Sequence, residues 1–310
     1  MSSLHISISA ETIGYLGPIP ISNSMLTSLI VSGMLVLLAI VVGTSLKKTG
    51  KPNRVQALFE MIIEALFNLA IDITGSRKKA ARFFPLVASF FLWIVLNNWL
   101  GLFPGVGTIG FYEEPETEHA QVISKSLVAS TEGSPVAQEG HEVPVEAGEP
   151  ISAETVEEHT LTEEEAAHAE EEHAEPVFVP YLRAGTADLN TTIALALISV
   201  GATQYFGFKA LGFGYLKKYF NFSKNPILTI VGLLELILEF AKIMSFAFRL
   251  FGNIFAGEVL LAVMMFLVPI IVPMPFYGLE LFVGMIQGLV FAMLSLVFFN
   301  LATIGHGEEH

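Results

Sequence analysis

Six charged side chains stand inside stretches of sequence that are otherwise apolar: Glu235, Glu239, Lys242, Arg249, Glu258 and Glu280. A charge at the centre of a bilayer costs about 2.5–3.5 kcal/mol on insertion scales, so such residues face protein or water and usually have a job. Structural pairing is the plainer alternative. Glu239 and Lys242 are three apart on one helix and can pair, and Lys242 can also snorkel to an interface. Arg249 is different. It sits in Ser-Phe-Ala-Phe-Arg-Leu-Phe-Gly-Asn-Ile-Phe, and no acid lies three or four residues away. Its counter-charge must come from another helix or another chain. A guanidinium stays protonated, so it cannot relay a proton by giving one up. It can hold a fixed positive field that favours a passing carboxylate and repels cations. Asn253, one turn on, shares its face and hydrogen-bonds without adding charge.

Glu258 lies further along, and Glu280 begins the next apolar stretch. A hairpin between the two stretches brings these carboxylates together. Carboxyls crowded in a poorly hydrated place suit reversible proton exchange, although both could instead snorkel outward. Gln287, seven residues after Glu280, shares its face and points toward the level of Arg249. Gly284, Gly288 and Ala292 recur every four residues, the spacing of ordinary close helix contact in membranes. Gly252 and Gly257 are expected to leave room for a partner helix in the same way.

The elements that must position these groups are apolar spans. The 310-residue chain is 53% hydrophobic and only 15% charged, against about 25% charged in typical soluble domains. It has no cysteine, hence no disulfide framework and no thiolate metal site. Apolar regions cover residues 25–46, 83–103, 189–208, 227–268 and 276–304. A span needs about 20 residues, and the first three regions fit one span each. The fourth is roughly 63 Å long as one helix, so it must tilt strongly, bend, or form two spans. The last two regions predict a tilted helical hairpin turned at Pro269, Pro273 and Pro275. The fold class expected is an all-α membrane protein of about five membrane-embedded helices. An amphipathic helix over 54–74 joins the first two, lying on the interface or against other protein. The first apolar run lacks a positive n-region and a cleavage site and is read as a retained span.

Twelve of the sixteen bases flank two loops, among them Lys47, Lys48, Lys51, Arg54, Arg77, Lys78, Lys79 and Arg82 around the first. The positive-inside rule then puts those loops and the C-terminus in the cytoplasm, with the N-terminus outside. Most of the negative charge comes from an insert over 113–175, which holds nineteen of the thirty acids and one lysine. Rich in Glu, Ala, Pro and Ser, it is expected to be a solvated, disordered outer loop. Its histidines, His119, His141, His159, His168 and His173, are too irregularly spaced to argue strongly for a metal site. The organisation expected is an outer segment over 1–24, two spans over 25–111, the insert over 112–180 and an ion-translocating region over 181–310.

Arg249-Leu-Phe-Gly-Asn-Ile-Phe-Ala-Gly-Glu258 closely resembles the hallmark segment of the subunit a family of F-type ATP synthases. Asn98-Trp-Leu-Gly-Leu-Phe-Pro104 looks like the end of that family's second span. Thr186-Ala-Asp-Leu-Asn190, followed by Ala194-Leu-Ala-Leu197, looks like the start of the next. The resemblance implies that Arg249 faces a rotating ring of c subunits and meets its carboxylates in turn. It implies an outer proton half-channel lined by Glu258, Glu280, Gln287 and Asn253, with Asn98, Asp188 and Asn190 near its mouth. Glu235 and Ser245 would belong to the cytoplasmic half-channel, with Glu239 a weaker candidate. The position of Glu280 varies in the family and is histidine in some members. Also implied are b-type peripheral stalk subunits, surrounding lipid, a multi-pass place in a bacterial plasma (inner) membrane, and no cofactor, metal or nucleic acid. The sequence has no Gly-x-x-x-x-Gly-Lys-Ser/Thr motif, so the chain is read as an ion-conducting stator without a catalytic nucleotide site. The competing readings are a stand-alone ion transporter or channel, which predicts internal repeats, and an assembly subunit with structural charges.

Overall fold

The computed structural model describes residues 10–46, 54–113, 177–219, 226–268 and 271–304. Most of the insert, with its five histidines, lies outside the described residues, as do Lys47, Lys48, Lys51, Lys217, Lys218 and Lys224 at the level of their side chains and Pro269 in the hairpin turn. Six α-helices are found among the described residues: α1 (Asn23–Leu46), α2 (Arg54–Thr74), α3 (Arg77–Gly101), α4 (Leu189–Leu211), α5 (Pro226–Leu267) and α6 (Pro273–Ala302). All but α2 are long and apolar enough to cross a membrane. The chain is thus an all-α, multi-pass integral membrane protein. Short strands, which the sequence did not announce, flank the helices: β1 (Thr12–Leu16), β2 (Ile19–Ser22), β3 (Pro104–Gly107), β4 (Gly110–Glu113) and β5 (Val177–Pro180). β1 and β2 form an antiparallel hairpin whose turn uses Gly17 at positive φ.

Two compact units are distinguished, Met1–Phe111 with Val179–His310, and Tyr112–Phe178. The second is described only at its ends, where the rings of Tyr112 and Phe178 stand 5.4 Å apart. In the first, the Tyr181 amide donates to the Ile109 carbonyl at 3.0 Å.

α1 begins behind Ser22, whose Oγ accepts the Met25 amide at 3.2 Å as an N-cap. Only its first turns are buried, at Asn23, Ser24, Thr27 and Val31. The Trp93 indole donates to Ser32 Oγ at 3.1 Å and ties it to α3. α2 buries Leu66 and Ala70 while Leu58, Met61 and Leu69 stay exposed. Its apolar surface is therefore divided. One stripe meets α3 and α6, as the packing reading expects, and another faces outward. Gly75 at positive φ ends α2, its amide donating to the Ile71 carbonyl at 2.8 Å.

α3, α4, α5 and α6 enclose the core. Phe83, Phe90, Phe246, Phe291 and Phe299 are buried there, and the rings of Phe246 and Phe291 meet at 4.8 Å. α6 lies closely along α3, because a Cβ on Gly288 would sit 2.8 Å from Val95 Cγ2 and one on Gly284 would sit 3.0 Å from Asn98 Cβ. The small-residue stripe of α6 is thus structural, as its spacing suggested. α5 is a single unbroken helix of 42 residues, about 63 Å by its rise, so the possibility of two separate spans falls away. A hydrocarbon layer of about 30 Å accommodates it only if it inclines steeply or runs beyond the layer. α6 starts at Pro273, which occupies the first helical position, and returns along α5.

Candidate functional site

The middle of α5 has two faces. Phe246, Ala247, Leu250 and Ile254 are buried against the other helices. Ala241, Ser245, Arg249, Gly252, Asn253 and Ala256 are exposed and recur at three- and four-residue spacing, so they line one stripe. Arg249 Nη2 donates to Ser245 Oγ at 3.4 Å, and among the described residues no carboxylate pairs with it. Most of its side chains are small; Arg249 and Asn253 stand among them, and the exposed ring of Phe248 borders them. A Cβ on Gly252 would meet nothing within 4 Å. An approaching helix therefore finds a shallow surface with one fixed cation at its centre.

Arg249 is also held from behind. Gln287 Nε2 on α6 donates to the Arg249 carbonyl at 3.0 Å, and Asn253 Nδ2 donates to Gln287 Oε1 at 3.3 Å. The sequence placed Gln287 at this level, and the structure brings Asn253, Gln287 and Arg249 together there.

Toward the hairpin turn, Glu258 and Glu280 line one small cavity with Asn98, Gly101, Leu102, Ala184 and Ile254. Its volume is about 20 Å³ counted as space open to the centre of a water-sized sphere, room for about one water. Glu280 is only 7% exposed. Its carboxylate lies directly over Gly257, where a Cβ would collide with all three carboxyl atoms. Gly257 makes room for a side chain of the neighbouring helix, Glu280 of α6, while Gly252 remains open. The hairpin does bring the two carboxylates together. Asn98 of α3 is fixed to α6 and to the short turn that precedes α4. Its Nδ2 donates to the Gly284 carbonyl at 3.3 Å, and Thr186 Oγ1 donates to its Oδ1 in a short bond.

Asp188 and Asn190 are placed differently from one another. Asp188 is buried and caps α4, accepting the Asn190 amide at 3.0 Å and the Thr191 hydroxyl at 3.3 Å. Asn190 is exposed. Neither lines the cavity.

Sequence reasoning missed Arg183. Its Nε and Nη2 donate to Glu258 Oε2 at 3.0 and 2.9 Å. One signal was present. With twelve bases assigned to the cytoplasmic side, two inside spans and one in the insert, Arg183 was the remaining base, just before an outer span end.

Nearer the Pro226 end of α5, Lys242 Nζ donates to Glu239 Oε1 at 2.7 Å and stands 4.8 Å from the Phe298 ring centre. This is the pairing that three-residue spacing allows. Tyr219 donates to the same Oε1 at 3.1 Å, while Glu239 Oε2 is buried without a partner. Glu235 is half-buried one turn away. Glu239 thus belongs to a polar cluster behind the exposed stripe, and Ser245 belongs to the stripe itself.

The sequence profile described as ATP synthase A chain matches residues 25–300. A similar curated protein is the ATP synthase subunit a of Gloeobacter violaceus, 28% identical over 296 residues that cover 95% of this chain and 89% of the relative. The matched stretch runs from the first turn of α1 to the last turn of α6 and contains Arg249, Glu258, Glu280 and Gln287. The chain belongs to the ATP synthase A chain family.

Proposed function

We propose that this chain forms two proton half-channels against a ring of c subunits and couples proton flow to ring rotation and ATP synthesis. The reading is carried by Arg249, a permanent cation on an exposed stripe of mostly small residues with no carboxylate partner among the described residues. Rotor carboxylates of another polypeptide supply the missing charge. A proton arriving from outside passes the cavity of Glu258, Glu280 and Asn98 and neutralises a ring carboxylate, with Asn253 and Gln287 bordering the path. The neutral carboxyl enters lipid at far lower cost than the charged one. After nearly a full turn it gives its proton to the inner half-channel, which holds Glu235, Ser245 and, at its edge, Glu239. Arg249 separates the two halves and attracts the newly charged carboxylate.

Asp188 and Asn190 stand near the outer mouth, Asp188 through the helix it caps. The partners in this reading are the c-ring, b-type peripheral stalk subunits and lipid, and the cargo is the proton. The chain is a stator without a catalytic nucleotide site. It sits in a bacterial plasma membrane with the N-terminus and insert outside and the C-terminus in the cytoplasm. The test is Arg249→Ala in the assembled, reconstituted complex. Coupled synthesis and ATP-driven proton pumping are expected to disappear. Unchanged pumping overturns the proposal.

A further inference from the structure

Among the described bases, Arg183 is the one that donates to the outer cluster. It precedes the short 3-10 turn Gly185–Ala187 that leads into α4. Its Nε and Nη2 both donate to Glu258 Oε2. Arg183 is not among the residues lining the cavity, whereas Glu258 and Glu280 are. The charged groups facing Glu258 among the described residues are thus Arg183 on one side and Glu280 of α6 on the other, with uncharged Asn98 contributed by α3.

We propose that Arg183 is a positioning residue of the outer proton port: its guanidinium holds Glu258 as a fixed, charged carboxylate, so that the Glu258–Glu280 pair takes up and releases one proton at a time. The inference rests on the half-channel reading above. Two adjacent carboxylates in a poorly hydrated cavity repel each other, and the first proton to arrive is held tightly by both. A cation at 2.9 Å from Glu258 offsets part of that repulsion. The proton then resides on the Glu280 side of the cavity, free to move on through the single water the cavity admits. Because arginine does not titrate in this range, the port keeps its poise across physiological pH.

The experiment uses the whole complex in liposomes and reads proton-driven ATP synthesis against the pH of the proton-supplying side. Arg183→Gln is expected to move the half-maximal pH upward by about one unit or more, the effect of removing a charge at this range. Arg183→Lys, which keeps the charge, should restore most of the wild-type profile. In an Glu258→Gln background, Arg183→Gln should cause no further shift. A profile that stays in place in Arg183→Gln, or a shift of equal size in the Glu258→Gln background, overturns the proposal. If Arg183→Gln does not assemble, Arg183→Lys decides: a shift of about one unit despite the retained charge is the overturning result. Arg249→Ala separates the two proposals. Normal synthesis by that variant sinks the half-channel reading itself, whereas an inactive Arg249→Ala beside an unmoved Arg183→Gln sinks only the role of Arg183.

Discussion

Gly257→Ala perturbs the outer cluster without changing any charge. The added Cβ would fall well inside contact distance of the Glu280 carboxylate. Relaxed contact between such atoms lies near 3.5 Å, so the carboxylate must move by on the order of 1 Å. It has a flexible stem and can do so. The space available is the cavity of about 20 Å³ that it shares with Glu258, which is about the room of one water. The displaced carboxylate therefore excludes the water that would carry a proton onward. Proton transfer needs heavy atoms within about 2.6–3.2 Å or one bridging water. A misplacement of about 1 Å can cost up to about a hundredfold, so proton-driven synthesis should fall at least about tenfold. The helix itself gains about 1 kcal/mol from replacing glycine by alanine, so assembly and thermal stability should hold. Synthesis rate and melting temperature, measured on the same preparation, separate the two effects. Glu280→Asp shortens the side chain by one methylene and should recover part of the loss in the double variant. Wild-type synthesis in Gly257→Ala would refute the crowding argument. So would a stably assembled double variant with no recovery.

Two further predictions concern stability. Gly288→Val forces a branched side chain against Val95 Cγ2 and the Phe91 carbonyl, which already lie 2.8 and 3.2 Å from an ideal Cβ; overpacking of this kind costs about 1–3 kcal/mol and should lower the melting temperature in detergent. Tyr219, outside the spans, has its phenol pushed above the ordinary value of 10.0 by burial first, then by its hydrogen bond with Tyr215. A raised folded-state value means that its stabilising contribution is complete below about pH 10 and is lost as pH climbs from there toward the folded value. Unfolding measured across that alkaline window should therefore weaken with pH in the wild type, and less steeply in Tyr219→Phe; identical slopes would contradict the assignment.

Much of this arrangement could be read from the residues. The long apolar runs gave the spans, and the small-residue spacing at Gly284, Gly288 and Ala292 gave a close helix contact, though not its partner, α3. A helical period put Arg249 and Asn253 on one face, and the hairpin joined Glu258 to Glu280. These follow from local period and chain reversal, which a single sequence carries. The Arg183–Glu258 pair spans 75 positions, and no period links its members. Gly257 looked like a site for helix approach because small residues have several uses. Only the position of the facing side chain decides which, and here that is Glu280. The divided apolar surface of α2 was hidden for a similar reason. Leu58, Leu66 and Leu69 look equivalent in composition, but only Leu66 meets the core. The β1–β2 hairpin is too short for its pattern to stand out against the tail.

The bases within and beside the spans make the case for a missing partner by contrast. Arg183 places two donors on Glu258. Lys242 reaches Glu239 and an aromatic face. Each has a carboxylate from its own chain within 3 Å. Arg249 has only a serine hydroxyl at 3.4 Å, and it is the one of the three that lies exposed in the middle of a 42-residue apolar helix. Left in hydrocarbon alone, it would cost about 2.5–3.5 kcal/mol. A fold that gives Arg183 and Lys242 a carboxylate each has given Arg249 none among the described residues. Its backbone is nonetheless fixed, since Gln287 bonds its carbonyl and Asn253 bonds Gln287. A cation held in place, with no carboxylate partner among the described residues and on an exposed stripe of mostly small side chains, is arranged for a carboxylate that comes and goes. A permanent internal partner would remove the reason for both its exposure and the anchored backbone.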